Sequence, residues 1–263
     1  CIKYVDINVN VKMDPVLEEG RMEHSVVSRE AWLEARRALL QKEKEMTRMR
    51  DRVNAERLAL PWVKVDKDYV FATPEGEKTL AGLFDGRSQL VVYHFMFGPD
   101  WEAGCPGCSF LADHLDGAIV HLNNHDVTFV CVSRAPLDRI EAYKRRMGWH
   151  FPWVSSHGSD FNFDYHVSFT KEALAAGPVF YNYRMTPPEQ AHDELPGLSS
   201  FYRDADGTIY HTYSNYARGG EEMLGTMMIL DCAPLGRNEG STMDFVKRHD
   251  EYETKPKAAA CCH

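Results

Sequence analysis

Two cysteines three positions apart, in the run Cys105-Pro106-Gly107-Cys108, carry the chemistry most open to this chain. The apolar run Gln89 to Phe97 precedes them, and an apolar-periodic run, Ser109 to Leu115, follows. The motif therefore falls where a strand gives way through a loop to a helix. The first sulfur then sits at a helix N-terminus, where free backbone N–H groups and the helix dipole lower a thiol pKa from about 8.5 towards 7 or below. The second lies one turn on, within reach for a disulfide. Thiol–disulfide or peroxide chemistry follows: Cys105 attacks, Cys108 resolves, and thiolate fraction, nucleophilicity and access set the rate.

Two other classes compete. Paired thiolates also suit copper, zinc or iron, with His94, His114 or His192 completing a set of Cys105, Cys108 and histidine. No second Cys-x-x-Cys or tight histidine pair supplies the remaining tetrahedral ligands, and each histidine alone reads as a surface or core residue. His121 and His125, four apart, fall at the solvated end of the helix that follows the motif. The redox reading needs no cofactor; the alternative needs the metal. The third class is a non-catalytic dimeric interaction protein that uses a long N-terminal helix. Trp101 and Tyr165 are candidates to line a substrate pocket, although most aromatics of this kind build core. Arg134 follows a strand at the edge where open α/β sheets bind ligands, placed to stabilise a thiolate or an anion. Phosphate loops, dinucleotide fingerprints, Gly-x-Ser-x-Gly and His-Glu-x-x-His are absent.

Composition narrows the partners. The 263 residues are 44% hydrophobic with a net charge of −9, enough for a large core and the wrong sign for a nucleic-acid face. No run approaches the roughly 18 apolar residues of a membrane span, and no charged–apolar–small leader opens the chain. The seven cysteines are too sparse and uneven for a disulfide framework, so a reducing cytoplasm is expected. Cys131 and Cys232, in apolar surroundings, read as inert core thiols. Met22 reads as a plausible start after a patternless segment, and Cys261-Cys262-His263 as part of a flexible tail.

The elements that must position the motif are legible in outline. Ser28 caps a helix predicted to run to about Leu58, ended by Pro61. Trp32, Leu39, Met46, Val53 and Leu60 recur every seven residues, a narrow seam that either docks on its own domain or pairs two subunits through residues 28–60. A strand at 68–71, a turn at 73–76 and a short helical turn over 78–84 come next. A helix from the motif to about Leu122, a strand over 127–133, a helix over 136–147 and a strand at 152–154 follow. Residues 160–165 alternate aromatic and polar. Asp206-Gly207 joins two hairpin strands, 197–203 and 208–213, before a helix from Gly220 to about Leu230. Right-handed crossovers make the first strands parallel, and the hairpin adds antiparallel ones.

That order, with Cys-Pro-Gly-Cys at its strand–helix junction, resembles the thioredoxin-like fold. Residues 68–166 resemble its peroxiredoxin-related branch. Val27-Ser-Arg-Glu-Ala-Trp-Leu33, Leu60-Pro-Trp-Val63, Tyr93-His-Phe-Met-Phe-Gly98, Gly104-Cys-Pro-Gly-Cys-Ser109, Tyr143-Lys-Arg-Arg-Met-Gly-Trp149 and Pro196-Gly-Leu-Ser199 resemble the DUF899 family from about Val26 to Tyr252. The resemblance implies an α/β thioredoxin-like sandwich with a mixed central sheet and a dithiol–disulfide oxidoreductase. It implies Cys105 as attacking thiol, Cys108 as resolving thiol, and Pro196 as a cis-proline facing the sulfur. The substrate would be a small-molecule or protein disulfide or a peroxide, with a thiol as reductant. The expected organisation is an irregular extension (1–24), a helical arm (25–62), a thioredoxin-like domain (63–252) with an aromatic-rich insertion near 160–195, and a tail (253–263).

Overall fold

The computed structural model describes residues 24–253. The expectations for the segment before His24, and for the tail with Cys261-Cys262-His263, lie outside them. One unit ends at Pro61 and the other begins at Trp62. The first is built on α1, Arg29–Leu58, started by Ser28, whose hydroxyl accepts from the Ala31 N–H at 3.2 Å. Taken by itself, this helix leaves Trp32, Leu39, Met46 and Val53 exposed.

The second unit is a mixed α/β layer. Its chain runs through β1 (Val63–Lys64), β2 (Val70–Thr73), β3 (Gly76–Thr79), α2 (Leu80–Leu83) and β4 (Gln89–His94) to α3 (Pro106–Ala112) and α4 (Asp116–Asn124). It continues through β5 (Val127–Ser133), α5 (Leu137–Met147), β6 (Trp153–Ser155), α6 (Phe161–Asp164) and α7 (Lys171–Ala176). A small hairpin, β7 (Val179–Tyr181) and β8 (Arg184–Thr186), precedes β9 (Gly197–Arg203), β10 (Ile209–Tyr216) and α8 (Gly225–Leu230). The main sheet has the order β1-β10-β9-β4-β5-β6-β2-β3. Strand β4, which precedes the cysteine motif, is central, parallel to β5 and antiparallel to β9, and β5 is parallel to β6. This is the mixed sheet flanked by helices that the thioredoxin-like reading calls for.

Strand alternation divides the core. Leu90 and Val92 of β4 pack with Phe71, Val132, Phe161 and Phe201. Tyr93 points the other way, into the layer that holds Cys105, Cys108, Phe110 and the α5 residues Ile140, Tyr143 and Met147. On α5 those three recur at helical spacing, and Gly148 (φ +67°) ends it in the left-handed conformation. Val167, Phe169, Val179, Tyr181, Leu195 and Tyr216 form a smaller third cluster.

Four elements differ from expectation, among them the helix expected from Gly220, which opens as a 3-10 helix over Ala217–Met223 and becomes α-helical only over Gly225–Leu230. The helical turn at 78–84 starts only at Leu80. Gly76 (φ +112°) closes a hairpin that draws residues 76–79 into a strand, and Thr79 then caps α2. The helix expected to reach Leu122 breaks at residues 113–115. There Asp113 accepts from the Trp149 indole, and Asp116 accepts from the backbone N–H groups of His150 and Phe151. The aromatic stretch at 160–165 is a helical turn, α6, that inserts Phe161 into the core.

Candidate active site

The loop after β4 closes back on itself before the motif: the Cys105 N–H donates to the Met96 carbonyl at 3.0 Å, and the Met96 N–H reaches Cys108 Sγ at 3.4 Å. Cys105 is the N-cap of α3, with Pro106 in its first turn, where a missing N–H costs nothing. Gly104 is forced by packing. A Cβ there would lie 2.6 Å from the Phe95 ring and 2.9 Å from that of Tyr143. Ser109 donates its hydroxyl to the Cys105 carbonyl at 2.8 Å and meets the Tyr143 hydroxyl at 2.8 Å.

Both thiols are free and buried. They differ sharply in acidity. The hydrogen bond from Cys108, followed by the backbone N–H groups of Cys108 and Gly107 and the Arg248 charge, outweighs burial and brings Cys105 down to about 7. Burial first, and then the proton it shares with Cys105, push Cys108 well above the ordinary thiol range. Tyr93 donates to the Cys108 sulfur from the sheet side. Arg248, which nothing in the local sequence marks, donates to the Gly104 carbonyl through Nε at 3.0 Å and Nη2 at 2.7 Å. Beside the motif a cleft of about 490 Å³, its open mouth included, is lined by Tyr93, Gly107, Leu111, Pro196, Met223 and Met243, among others.

The remaining sequence candidates separate. Pro196 does border the cleft with Gly107, but no peptide bond among the described residues is cis, so the expected cis-proline is corrected to a trans one. Trp101 packs on the cysteine side, its indole lying where a Cβ of Gly98 would be and its carbonyl held by Arg139 at 3.1 Å. Tyr165 is on the opposite face of the sheet, 5.9 Å from the His94 ring, and does not share the cysteine layer. Arg134 is not open for an anion. It pairs with buried Glu194 at 2.9 Å and lies over the Phe163 ring. Burial lifts Glu194 to about 7 against the Ser168 hydrogen bond and the Arg134 charge. Cys232 is exposed, since it follows α8 in a surface turn; Cys131 is buried as expected.

The metal set is not assembled. His94 belongs to the far face, where it bonds Ser199 at 2.9 Å. His114 is engaged by Thr226 at 2.7 Å and by the Leu111 carbonyl at 3.3 Å. His192 joins neither thiol, and among the described residues no three His, Cys, Asp or Glu side chains are grouped to hold a metal ion. On the far face a polar chain crosses three strands: His94 Nε2 to Ser199, Ser199 to Ser214 at 2.9 Å, and Ser214 to His211 at 2.8 Å. Burial, and then the neighbouring His211, lower His94 to about 3.

No helix among the described residues is long and apolar enough to cross a membrane. Among solved structures, the chain is similar to a Cys-to-Ser mutant of peroxiredoxin Q from Xylella fastidiosa at 14% identity and TM-score 0.37, over 61% of this chain and 88% of that one. It is similar to the peroxidoxin BcpB from Mycobacterium tuberculosis at 14% identity and TM-score 0.38, over 65% and 97%. A putative thiol:disulfide interchange protein DsbE from Chlorobium tepidum is similar at 11% identity and TM-score 0.38, over 66% and 99%. No curated protein matches. Residues 21–252 match the family described as a bacterial protein of unknown function, DUF899, and the chain belongs to that family.

Proposed function

We propose that this protein carries out dithiol–disulfide exchange, with Cys105 as nucleophile and Cys108 as resolving thiol. The observation that supports this is the placement of the pair: two free thiols, Cys105 capping the N-terminus of α3 and Cys108 one turn on within hydrogen-bond reach of it, an arrangement that favours the thiolate at Cys105 and the thiol at Cys108. At neutral pH the first is substantially thiolate, while the second keeps its proton and donates it as a hydrogen bond. The Cys105 thiolate attacks one sulfur of a disulfide; a new S–S bond forms, the old one breaks, and the released thiolate takes up a proton. Cys108 then loses its proton and attacks Cys105 Sγ, which releases the second substrate thiol and leaves a Cys105–Cys108 disulfide. Two electrons pass to the substrate, and an external thiol restores the pair. Cys105 is only 4% exposed, so a small disulfide reaches it more readily than one fixed in a folded protein.

Glutathione disulfide tests the reading on the full chain. The expected product is an internal Cys105–Cys108 bridge found by peptide mapping, and in Cys108→Ser a glutathione adduct trapped on Cys105. A Cys105 that stays unmodified from about pH 6 to 9, where a lowered thiol is ionised, overturns it.

A further inference from the structure

The reactive thiol is not completed by its own strand and helix. The described residues after α8, 231–253, form only short helical turns, yet they return across the motif. Met243 is buried in the same cluster as Cys105 and Cys108, and Phe245 meets Phe110 edge-on at 6.2 Å. An ion pair and a hydrogen bond hold this segment near residue 250. Arg146 of α5 holds Asp250 at 2.7 and 3.0 Å, and His249 meets the Asp113 carboxylate at 2.7 Å. Between these anchors, Arg248 turns inward. Its Nη1 pairs with Glu251 at 2.8 Å, and Nε and Nη2 close on the Gly104 carbonyl.

We propose that Arg248, carried by this C-terminal segment, is a positioning residue for Cys105: its guanidinium grips the carbonyl just before the thiol and holds a fixed positive charge beside it. This rests on the reading of Cys105 as nucleophile. A fork on one carbonyl fixes the peptide plane from which Cys105 projects, and a lysine cannot reproduce that two-pronged grip. The charge favours the thiolate over the thiol, an effect that survives because the surroundings are desolvated. The other groups facing the motif are Cys108 on α3, Tyr93 on β4 and Tyr143 on α5, whose hydroxyl Arg248 also reaches; Glu251 and Arg146 form the layer behind.

The test is the titration of Cys105, read as thiolate absorbance near 240 nm in the full chain minus that of the same protein carrying Cys105→Ser. Wild type is expected to show a midpoint near 7. Arg248→Gln keeps a donor within reach of Gly104 and loses the charge; Arg248→Met loses both. Each is expected to raise the midpoint by about 0.5 pH or more, which lowers the thiolate fraction at pH 7 about twofold. Arg248→Lys, which restores the charge without the fork, is expected to return it part of the way. Near-UV circular dichroism identifies the folded variants, and Arg248→Gln carries the test if Arg248→Met fails to fold. A folded neutral variant that titrates like wild type overturns the proposal, as does a lysine variant shifted as far as the neutral ones. A wild-type midpoint at the ordinary 8.5 or so overturns the nucleophile reading, and this proposal with it.

Discussion

The two faces of strand β4 treat buried titratable groups in opposite ways. Tyr93 and His94 are neighbours in sequence, yet one meets the thiols and the other meets Phe161 and Tyr165. On the histidine face, burial wins: His94 has a single neutral hydroxyl as partner and falls to about 3, so it is uncharged at neutral pH. On the cysteine face, Cys105 is just as enclosed but moves towards its charged form. Burial always opposes charge. What separates the two is whether the charged form finds partners of the right sign: the Cys105 sulfur has Cys108, two backbone N–H groups and the nearby charge of Arg248, whereas His94 has no carboxylate beside its ring and its Nδ1 has no hydrogen-bond partner. Enclosure alone thus makes an inert site, and enclosure with convergent donors makes a reactive one.

The largest expected effect is loss of exchange. Cys105→Ser removes the ionised sulfur, and disulfide exchange should fall to the uncatalysed background. His94→Leu, on the other face, should leave the exchange rate within about twofold, the level expected of a site with no shared partners. A His94→Leu variant that exchanges as slowly as Cys105→Ser would mean the two faces are coupled and would break the comparison.

Next is the acid sensitivity of the histidine face. His94 has a lowered folded pKa, about 3 against about 6.5 in the unfolded chain. The unfolded state therefore binds the extra proton between those values, and stability falls as pH drops from 6.5 towards 3. At pH 5 the loss through this one group is about 2 kcal/mol. Glu194, raised to about 7, works the other way: it binds its proton in the folded state first and gains stability as pH falls through that value towards 4.5. Comparing wild type with His94→Leu cancels the Glu194 contribution. Urea unfolding at pH 7.5 and pH 5 should show a fall in the wild type that is about 2 kcal/mol larger than in the variant, and equal falls would refute a neutral buried His94.

Gly104→Ala probes the cysteine face by packing. The added methyl meets two aromatic rings inside contact distance, so overpacking should cost about 1–3 kcal/mol and lower the melting temperature. It should also disturb the Arg248 grip on the carbonyl and raise the Cys105 midpoint. A variant with unchanged stability and titration would show that the loop relaxes freely and that the close approach is not required.

What could be read in the chain follows the range of the interactions. Strands β4, β5 and the β9–β10 pair announce themselves as apolar runs and turn residues, and the cysteine motif is local in its spacing. The break between α3 and α4 is not local: it depends on Asp113 and Asp116 meeting residues more than thirty positions on. Arg248 lies 144 positions from the carbonyl it holds and sits in a segment without periodicity, so no sequence pattern points to it. Arg134 follows the C-terminal end of β5, as the sequence suggests, but the buried partner that occupies it, Glu194, comes from a loop. Nearness in sequence points His94 towards the thiols, and aromatic character points Tyr165 towards a substrate pocket. Strand alternation and the fold of residues 160–165 put them on the other side.

The smallest expected effect sharpens the comparison within the cysteine face. Ser109 has one hydroxyl proton, and it is donated to the Cys105 carbonyl. The 2.8 Å contact with Tyr143 therefore requires the tyrosine to donate to Ser109 Oγ. Tyr143→Phe keeps the ring against Phe97 and Trp153 and removes the hydroxyl, with its donation to Ser109 and its contact with Arg248. The cost should be about 1 kcal/mol, the net worth of one buried hydrogen bond, read as a modest fall in melting temperature. The Cys105 midpoint should move less than in Arg248→Gln, because the hydroxyl acts on the sulfur indirectly, through Ser109 and through the Arg248 side chain, whose charge stays in place. If Tyr143→Phe shifts the titration as far as the neutral Arg248 variants do, the thiolate depends on the whole hydroxyl network rather than on the donors that point at it, and the contrast drawn between the two faces of β4 loses its physical basis.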